Sequence, residues 1–189
     1  MDNVSFQSRI RFVSNTSFDK KVYAFGKENF VDLPWTLKES VVSDKVYTKA
    51  VSACSACIIT DGIKALMMHI CPKTEHIKDF FKIESFVKET FSNKLDKLKA
   101  FLIGSMDYEM SLDLNNKFKD FLTKNKIPFT HISKGSALGS DVAYSVRDDE
   151  LTLSNFLVSD EDIDSNFKSK ELIDCFFKEC KINALDEIV

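Results

Sequence analysis

No apolar run in this chain approaches the roughly 18 residues needed to cross a bilayer, which excludes a transmembrane helix. Only five glycines and three prolines occur among 189 residues, so there is no flexible linker of the usual composition. Internal repeats and low-complexity tracts are also missing. A cationic surplus is absent too. Lysine and arginine number 26 against 29 aspartates and glutamates, giving a formal charge of -3. That balance gives no electrostatic footprint for nucleic acid or an anionic membrane, and neither is expected as a partner. Met1 to Phe12 alternates polar and apolar residues and has no signal-peptide core. The five cysteines are Cys54, Cys57, Cys71, Cys175 and Cys180. An odd count argues against a disulfide framework and for a reducing compartment. A cytoplasmic location is therefore expected, with delivery to a host cell by a signal-independent route left open.

What is present suits one globular domain over residues 1–189. Hydrophobic residues make up 44% and charged residues 29%, which excludes wholesale disorder. A chain this long can bury a full core without disulfides or a structural metal. Val4, Phe6, Ile10 and Phe12 read as strand residues, as do Val22, Tyr23 and Phe25. Leu33-Pro34-Trp35 is a break, and Val46 to Val51 is extended. Cys57 to Thr60 runs into the turn signal Asp61-Gly62, and Ala65 to Ile70 returns as the second arm of a hairpin ended by Pro72. Ile77, Phe80, Phe81, Phe86, Val87 and Phe91 follow a helical period. Ala100 to Gly104 is a short buried strand. Asp113 to Lys124 is a helix with Leu114, Phe118, Phe121 and Leu122 on one face. Ile127 to Ile132 reads as a strand, and Asp141 to Val146 with Glu150 to Leu153 as a hairpin. Asp160 to Asp164 is an acidic boundary. Lys170 to Lys181 predicts an amphipathic tail helix carrying Leu172, Ile173, Phe176 and Phe177, docked on the body or open to a partner. Mixed strands and helices with hairpins imply an α+β layered domain.

One segment concentrates reactive groups: Thr48-Lys49-Ala50-Val51-Ser52-Ala53-Cys54-Ser55-Ala56-Cys57, with His69-Ile70-Cys71-Pro72 following. Small residues around Cys54 permit close backbone approach, so amide N–H donors near Ala53 and Ser55 can face a substrate carbonyl as an oxyanion hole requires. His69 lies on the returning arm of the Asp61-Gly62 hairpin. A thiol beside an imidazole is the minimum for nucleophilic catalysis, because the imidazole takes the thiol proton and the thiolate attacks. The plainer alternative is that Cys54 packs as a small hydrophobe, as free cysteines usually do. Cys57, Cys71, Cys175 and Cys180 read as packing or surface thiols, and His76 and His131 as structural histidines. A third reading is zinc. Cys54, Cys57, His69 and Cys71 supply four ligands of suitable type, although one residue between His69 and Cys71 is tighter than the usual spacing.

These residues resemble the chemoreceptor glutamine deamidase family, CheD. Thr48 stands six residues before Cys54, which matches that family's threonine-to-cysteine step. Ser52-Ala53-Cys54 lies where the family has Gly-Ser-Cys, and Cys57 to Asp61 resembles the strand that follows. Ala65 to Pro72 resembles the histidine strand and its proline ending. Downstream, Phe101 to Met106 looks like the Gly-Gly-Ala strand, and Leu114-Asn115-Asn116 like a helix start with an asparagine. Ile127-Pro128-Phe129, Lys134-Gly135-Ser136 and Val142-Ala143-Tyr144 resemble the last strand, the glycine turn and the closing hairpin. The likeness covers residues 33–154, leaving an N-terminal β extension over 1–30 and a C-terminal helical extension over 155–189. Ser52, Ser105 and Ser136 stand where the pattern has glycine, and its arginine is not evident at Leu138 to Asp141, which marks a divergent relative. The Cys–His spacing is closer to that of the cytotoxic necrotizing factor catalytic domains.

The resemblance implies a layered α/β/β sandwich with outer helices and a Cys54–His69–Thr48 site that hydrolyses a glutamine side-chain amide within a protein substrate. Thr48 would orient the imidazole through its hydroxyl or its carbonyl, and no cofactor is implied. Capture of the thioester by an amine would give transglutamination instead. A family-like binding module that has lost turnover is the alternative outcome. The two extensions would serve target recognition or simply cover the core.

Overall fold

The computed structural model describes residues 8–32, 40–72, 80–104, 109–134, 139–155, 158–160, 170–171, 173, 177–181 and 186–189. Val4, Phe6, the break at 33–35, His76, Ile77, Ser105, Ser136, Leu172, Cys175 and Phe176 lie outside them. Among the described residues, twelve strands form two six-stranded sheets. The first contains β1 (Arg9–Val13), β2 (Phe30–Val31), β4 (Lys45–Val51), β9 (Ser140–Ser145), β10 (Glu150–Asn155) and β12 (Glu187–Ile188), in the order β12-β1-β10-β9-β4-β2. The second contains β3 (Val41–Ser43), β5 (Ser55–Thr60), β6 (Ala65–Ile70), β7 (Lys99–Gly104), β8 (Phe129–Lys134) and β11 (Phe177–Lys181), in the order β11-β8-β7-β5-β6-β3. Both sheets are mixed: β1 runs parallel to β10, and β7 parallel to β8, amid antiparallel neighbours.

The central strands are buried on both faces, which is why β5 (SACIIT) and β6 (ALMMHI) read as near-continuous apolar runs. Their hairpin closes over Asp61 to Lys64. The Asp61 carboxylate accepts the backbone N–H groups of Ile63 and Lys64, both at 2.9 Å, as an aspartate turn does. The helices that flank the sheets include α1 (Asn15–Tyr23), α2 (Phe80–Thr90) and α3 (Glu109–Lys124), and Lys170, Glu171 and Ile173 are also helical. In α3, Leu114, Phe118, Phe121 and Leu122 recur at helical spacing and are buried. Phe80 of α2 meets Phe118 edge-on, with ring centroids 5.1 Å apart, so α2 and α3 share a layer.

The layers are helix, sheet, sheet, helix: an α+β layered sandwich. Phe101 of β7 and Tyr144 of β9 touch across the two sheets at 5.2 Å between ring centroids. Ile10, Phe12, Val46, Val142, Leu151 and Leu153 come from the first sheet's inner face and join the main core. A smaller cluster of Phe18, Val22, Phe25, Tyr47 and Ala143 holds α1 on that sheet's outer face. No helix among the described residues is long and apolar enough to cross a membrane.

Four expectations are corrected. Val22 and Tyr23 are helical, not extended. Ser14 caps α1 by accepting the Ser17 N–H at 3.1 Å, and Phe18 and Val22 stack one turn apart on its buried side. Asn115 sits within α3 and not at its start. The expected tail helix over Lys170 to Lys181 ends in strand β11, which pairs antiparallel with β8. The extensions are likewise not additions to a finished body. β1 lies between β10 and β12, and β12 closes that sheet's edge. Asp186 accepts hydrogen bonds from the Ser8 N–H at 3.1 Å and from the Thr130 hydroxyl, tying both ends of the chain to β8. Beside it the buried Lys99 ammonium donates to both oxygens of Asp149, at 2.6 and 2.7 Å. The Tyr144 hydroxyl and Ser8 Oγ also donate to Asp149, at 2.6 and 2.8 Å.

Candidate active site

Thr48 and His69 arrive from different sheets. Thr48 pairs with Val142 in β9, which places it on the inner face of the first sheet. His69 pairs with Ala56, and Ala56 in turn with Ile103 of β7. Strand alternation puts these three on the same face as Phe101, the face that meets the first sheet. Thr48 Oγ1 lies 2.6 Å from His69 Nδ1 and 2.6 Å from the carbonyl oxygen of Val31. A carbonyl only accepts, so the threonine hydroxyl donates to Val31. Its oxygen then accepts the proton of Nδ1, and the imidazole lone pair resides on Nε2. The bond runs through the Thr48 hydroxyl, which decides between the hydroxyl and carbonyl alternatives.

Cys54 precedes β5, two residues from Ala56, the strand partner of His69. It retains 5% exposure where Thr48 and His69 have none, so it is the outermost of the three. The chain reaches it through a bulge between Thr48 and Val51. There Ala50 adopts φ +57°, and its N–H donates to Asp141 Oδ1 at 2.9 Å. A non-glycine residue in this left-handed conformation costs roughly 1–2 kcal/mol. Past the bulge, the Ser111 hydroxyl donates to the Ala53 carbonyl at 2.7 Å. The Cys54 carbonyl passes directly over Gly104, where a Cβ would stand 2.4 Å from that oxygen. Gly104 has φ +129°, so glycine is required there for both space and backbone conformation.

Ser55 turns its side chain to the opposite face, toward α3. Its hydroxyl donates to Asn115 Oδ1 at 3.2 Å. Asn115 Nδ2 lies 3.4 Å from the Gly104 carbonyl and 3.2 Å from His131 Nε2. The structural histidine of the sequence reading is therefore a member of a buried polar network beside the cysteine turn. Cys57 shares that helix-facing side, and burial pushes its thiol far above the ordinary range, as suits a packing residue. His69 faces the other way, so the four zinc-type ligands are not gathered on one side. Among the described residues no group of three or more His, Cys, Asp or Glu could hold a metal ion. Cys54, Cys57 and Cys71 are free thiols.

Sequence reasoning singled out Cys54, His69, Thr48, Ala53 and Ser55, all of which lie at this end of the sandwich. It did not name Ser111, and it named Asn115 and Gly104 without giving either a role at the site. The available signal was two polar residues, Ser111 and Asn115, one turn apart on the apolar face of a helix, where unpaired polar groups are costly. Comparison with models of known protein families finds no match for this chain, and comparison with curated proteins finds none either.

Proposed function

We propose that this protein is a cysteine hydrolase that deamidates a glutamine side chain of a protein substrate. The observation that carries the reading is the Thr48–His69 hydrogen bond, which leaves Nε2 as the basic nitrogen of a buried imidazole. Nε2 takes the proton of the Cys54 thiol, and the sulfur attacks the side-chain carbonyl carbon of glutamine. The oxyanion is held by backbone N–H groups of the turn between Ala53 and Ser55. Collapse of this intermediate breaks the C–N bond, and His69 returns its proton to the departing ammonia. Water, deprotonated by His69, then cleaves the thioester and releases glutamate and the free thiol. The sum is one amide and one water consumed, with one carboxylate and one ammonium formed. Thr48 fixes the imidazole tautomer through both half-reactions, the role of the third member in other nucleophile–base units. The chemistry draws on no cofactor, and a reducing cytoplasm suits a catalytic thiol.

The test is ammonia release from a blocked glutamine dipeptide by wild-type protein, Cys54→Ser and His69→Gln. His69→Gln keeps much of the buried side-chain volume. Release by the wild type, abolished in Cys54→Ser and reduced by about 10²–10⁴-fold in His69→Gln, is the expected result. Equal release by all three would remove the proposal. A second reading, a binding module on the same scaffold, is favoured by the near-complete burial of Thr48, His69 and Cys54. Absence of release together with tight binding of an unmodified protein partner would select it.

A further inference from the structure

Two hydrogen bonds from a single helix bracket Cys54. Ser111 of α3 donates to the carbonyl of residue 53, and Asn115, one helical turn on, accepts from the hydroxyl of residue 55. The first bond has a geometric consequence. A trans peptide is planar, with its C=O and N–H directed oppositely. Anchoring the Ala53 carbonyl to α3 therefore turns the Cys54 N–H away from the helix layer and toward the space between the sheets, the side on which His69 lies. The second bond stops the turn from rotating as a unit. Asn115 is itself held, with Nδ2 shared between the Gly104 carbonyl and His131 Nε2. A carbonyl can only accept, so the amide orientation is fixed, and His131 Nε2 is an acceptor in this arrangement. Gly104 closes the set, because only a residue without Cβ admits the Cys54 carbonyl where it stands.

We propose that Ser111 and Asn115 are positioning residues that aim the Cys54 N–H as the oxyanion donor, with His131 orienting Asn115 from behind. This rests on the reading of Cys54 as the nucleophile. The role differs from merely satisfying buried polar groups, because it acts on one step only. Acyl transfer develops charge on oxygen and needs an aimed donor. Alkylation of the thiol by iodoacetamide is a displacement at carbon, develops no oxyanion, and reports the thiolate alone.

The experiment measures three quantities on the full chain of Ser111→Ala, Ser111→Thr and Asn115→Leu. These are the kcat and KM of ammonia release from a blocked glutamine dipeptide, the pH profile of Cys54 alkylation followed by peptide mapping, and the melting temperature. Expected is a fall in kcat of about 10–10³-fold in Ser111→Ala and Asn115→Leu, with KM and the Cys54 alkylation profile close to wild type. Ser111→Thr, which keeps the donor hydroxyl, should recover most of the Ser111→Ala loss. Equal loss of kcat and alkylation in step with falling melting temperature would overturn the proposal in favour of a structural role. Unchanged kcat would overturn it directly. Wild-type protein that releases no ammonia would remove the reaction and this proposal together, and that outcome is distinct from a loss confined to the variants.

Discussion

At the scale of single residues, Thr48 and Gly104 test different parts of the site. Thr48 makes two buried bonds through one oxygen, to Val31 and to His69. Thr48→Ser keeps both, and activity should stay within a few-fold of wild type. Thr48→Val keeps the shape and loses both. Turnover should fall on the order of 10–100-fold, as when a histidine loses its orienting partner, and stability by about 1–3 kcal/mol for the buried groups left unpaired. Steady-state rates and thermal melting of the two variants check this, and equal rates would deny the hydroxyl its role. Gly104→Ala places a methyl against the Cys54 carbonyl, in a conformation L side chains rarely adopt. It should abolish turnover or folding, so a fully active Gly104→Ala would contradict the described turn. Thr48, Cys54 and His69 drew attention in the sequence because reactive side chains are rare and their spacing is local, and the Thr48–His69 contact is present in the fold. Ser111 drew none. Its partner is the Ala53 carbonyl, 58 positions away, and the one local sign of its burial is that it shares the apolar helix face with Asn115, one turn on.

Elements were legible where the apolar period was long and unambiguous. The hairpin of β5 and β6 and the face of α3 follow directly from their patterns. Val22, Tyr23 and Phe25 misled because a short β-prone run cannot be separated from one face of a helix without its cap, and Ser14 supplies that cap eight residues upstream of Val22. The tail misled for a related reason. Phe177 to Lys181 continues a helical period, yet pairing with β8 covers an edge whose backbone groups would otherwise stay open. Truncation after Ser154 therefore has a definite expected outcome. It strips β11 and β12 from the two sheets and removes Asp186 from Ser8 and Thr130. The shortened protein should be insoluble or should melt without cooperativity. Sharp melting near the full-length temperature, read by circular dichroism, would show that the tail is a separable recognition arm.

For the molecule as a whole, the candidate site and the Lys99–Asp149 cluster lie at opposite ends of the sandwich. Gly104 ends β7 beside Cys54, and Lys99 begins it beside Asp149, on the order of 17 Å apart along six residues of strand. Near the second end, Glu150 is partly buried, which opposes ionisation, but Lys21 at 2.5 Å and Arg11 outweigh this and hold its carboxyl below the usual glutamate range. A lowered folded pKa gives stability that is present above the unfolded value, about 4.3, and is lost as pH falls through the folded one. Glu150→Gln should therefore melt below wild type near pH 7, with the gap closing on acidification below the ordinary glutamate range. A gap that widens in acid would reverse the sign of this linkage. The central claim is the proposed deamidation at the Cys54 end, and mapping of new glutamine-to-glutamate sites across a proteome expressing the protein tests it most directly, with Cys54→Ser as the control. The account predicts a small set of modified protein glutamines with the wild type and none with Cys54→Ser. Identical maps from the two, with both proteins folded and equally expressed, would contradict it.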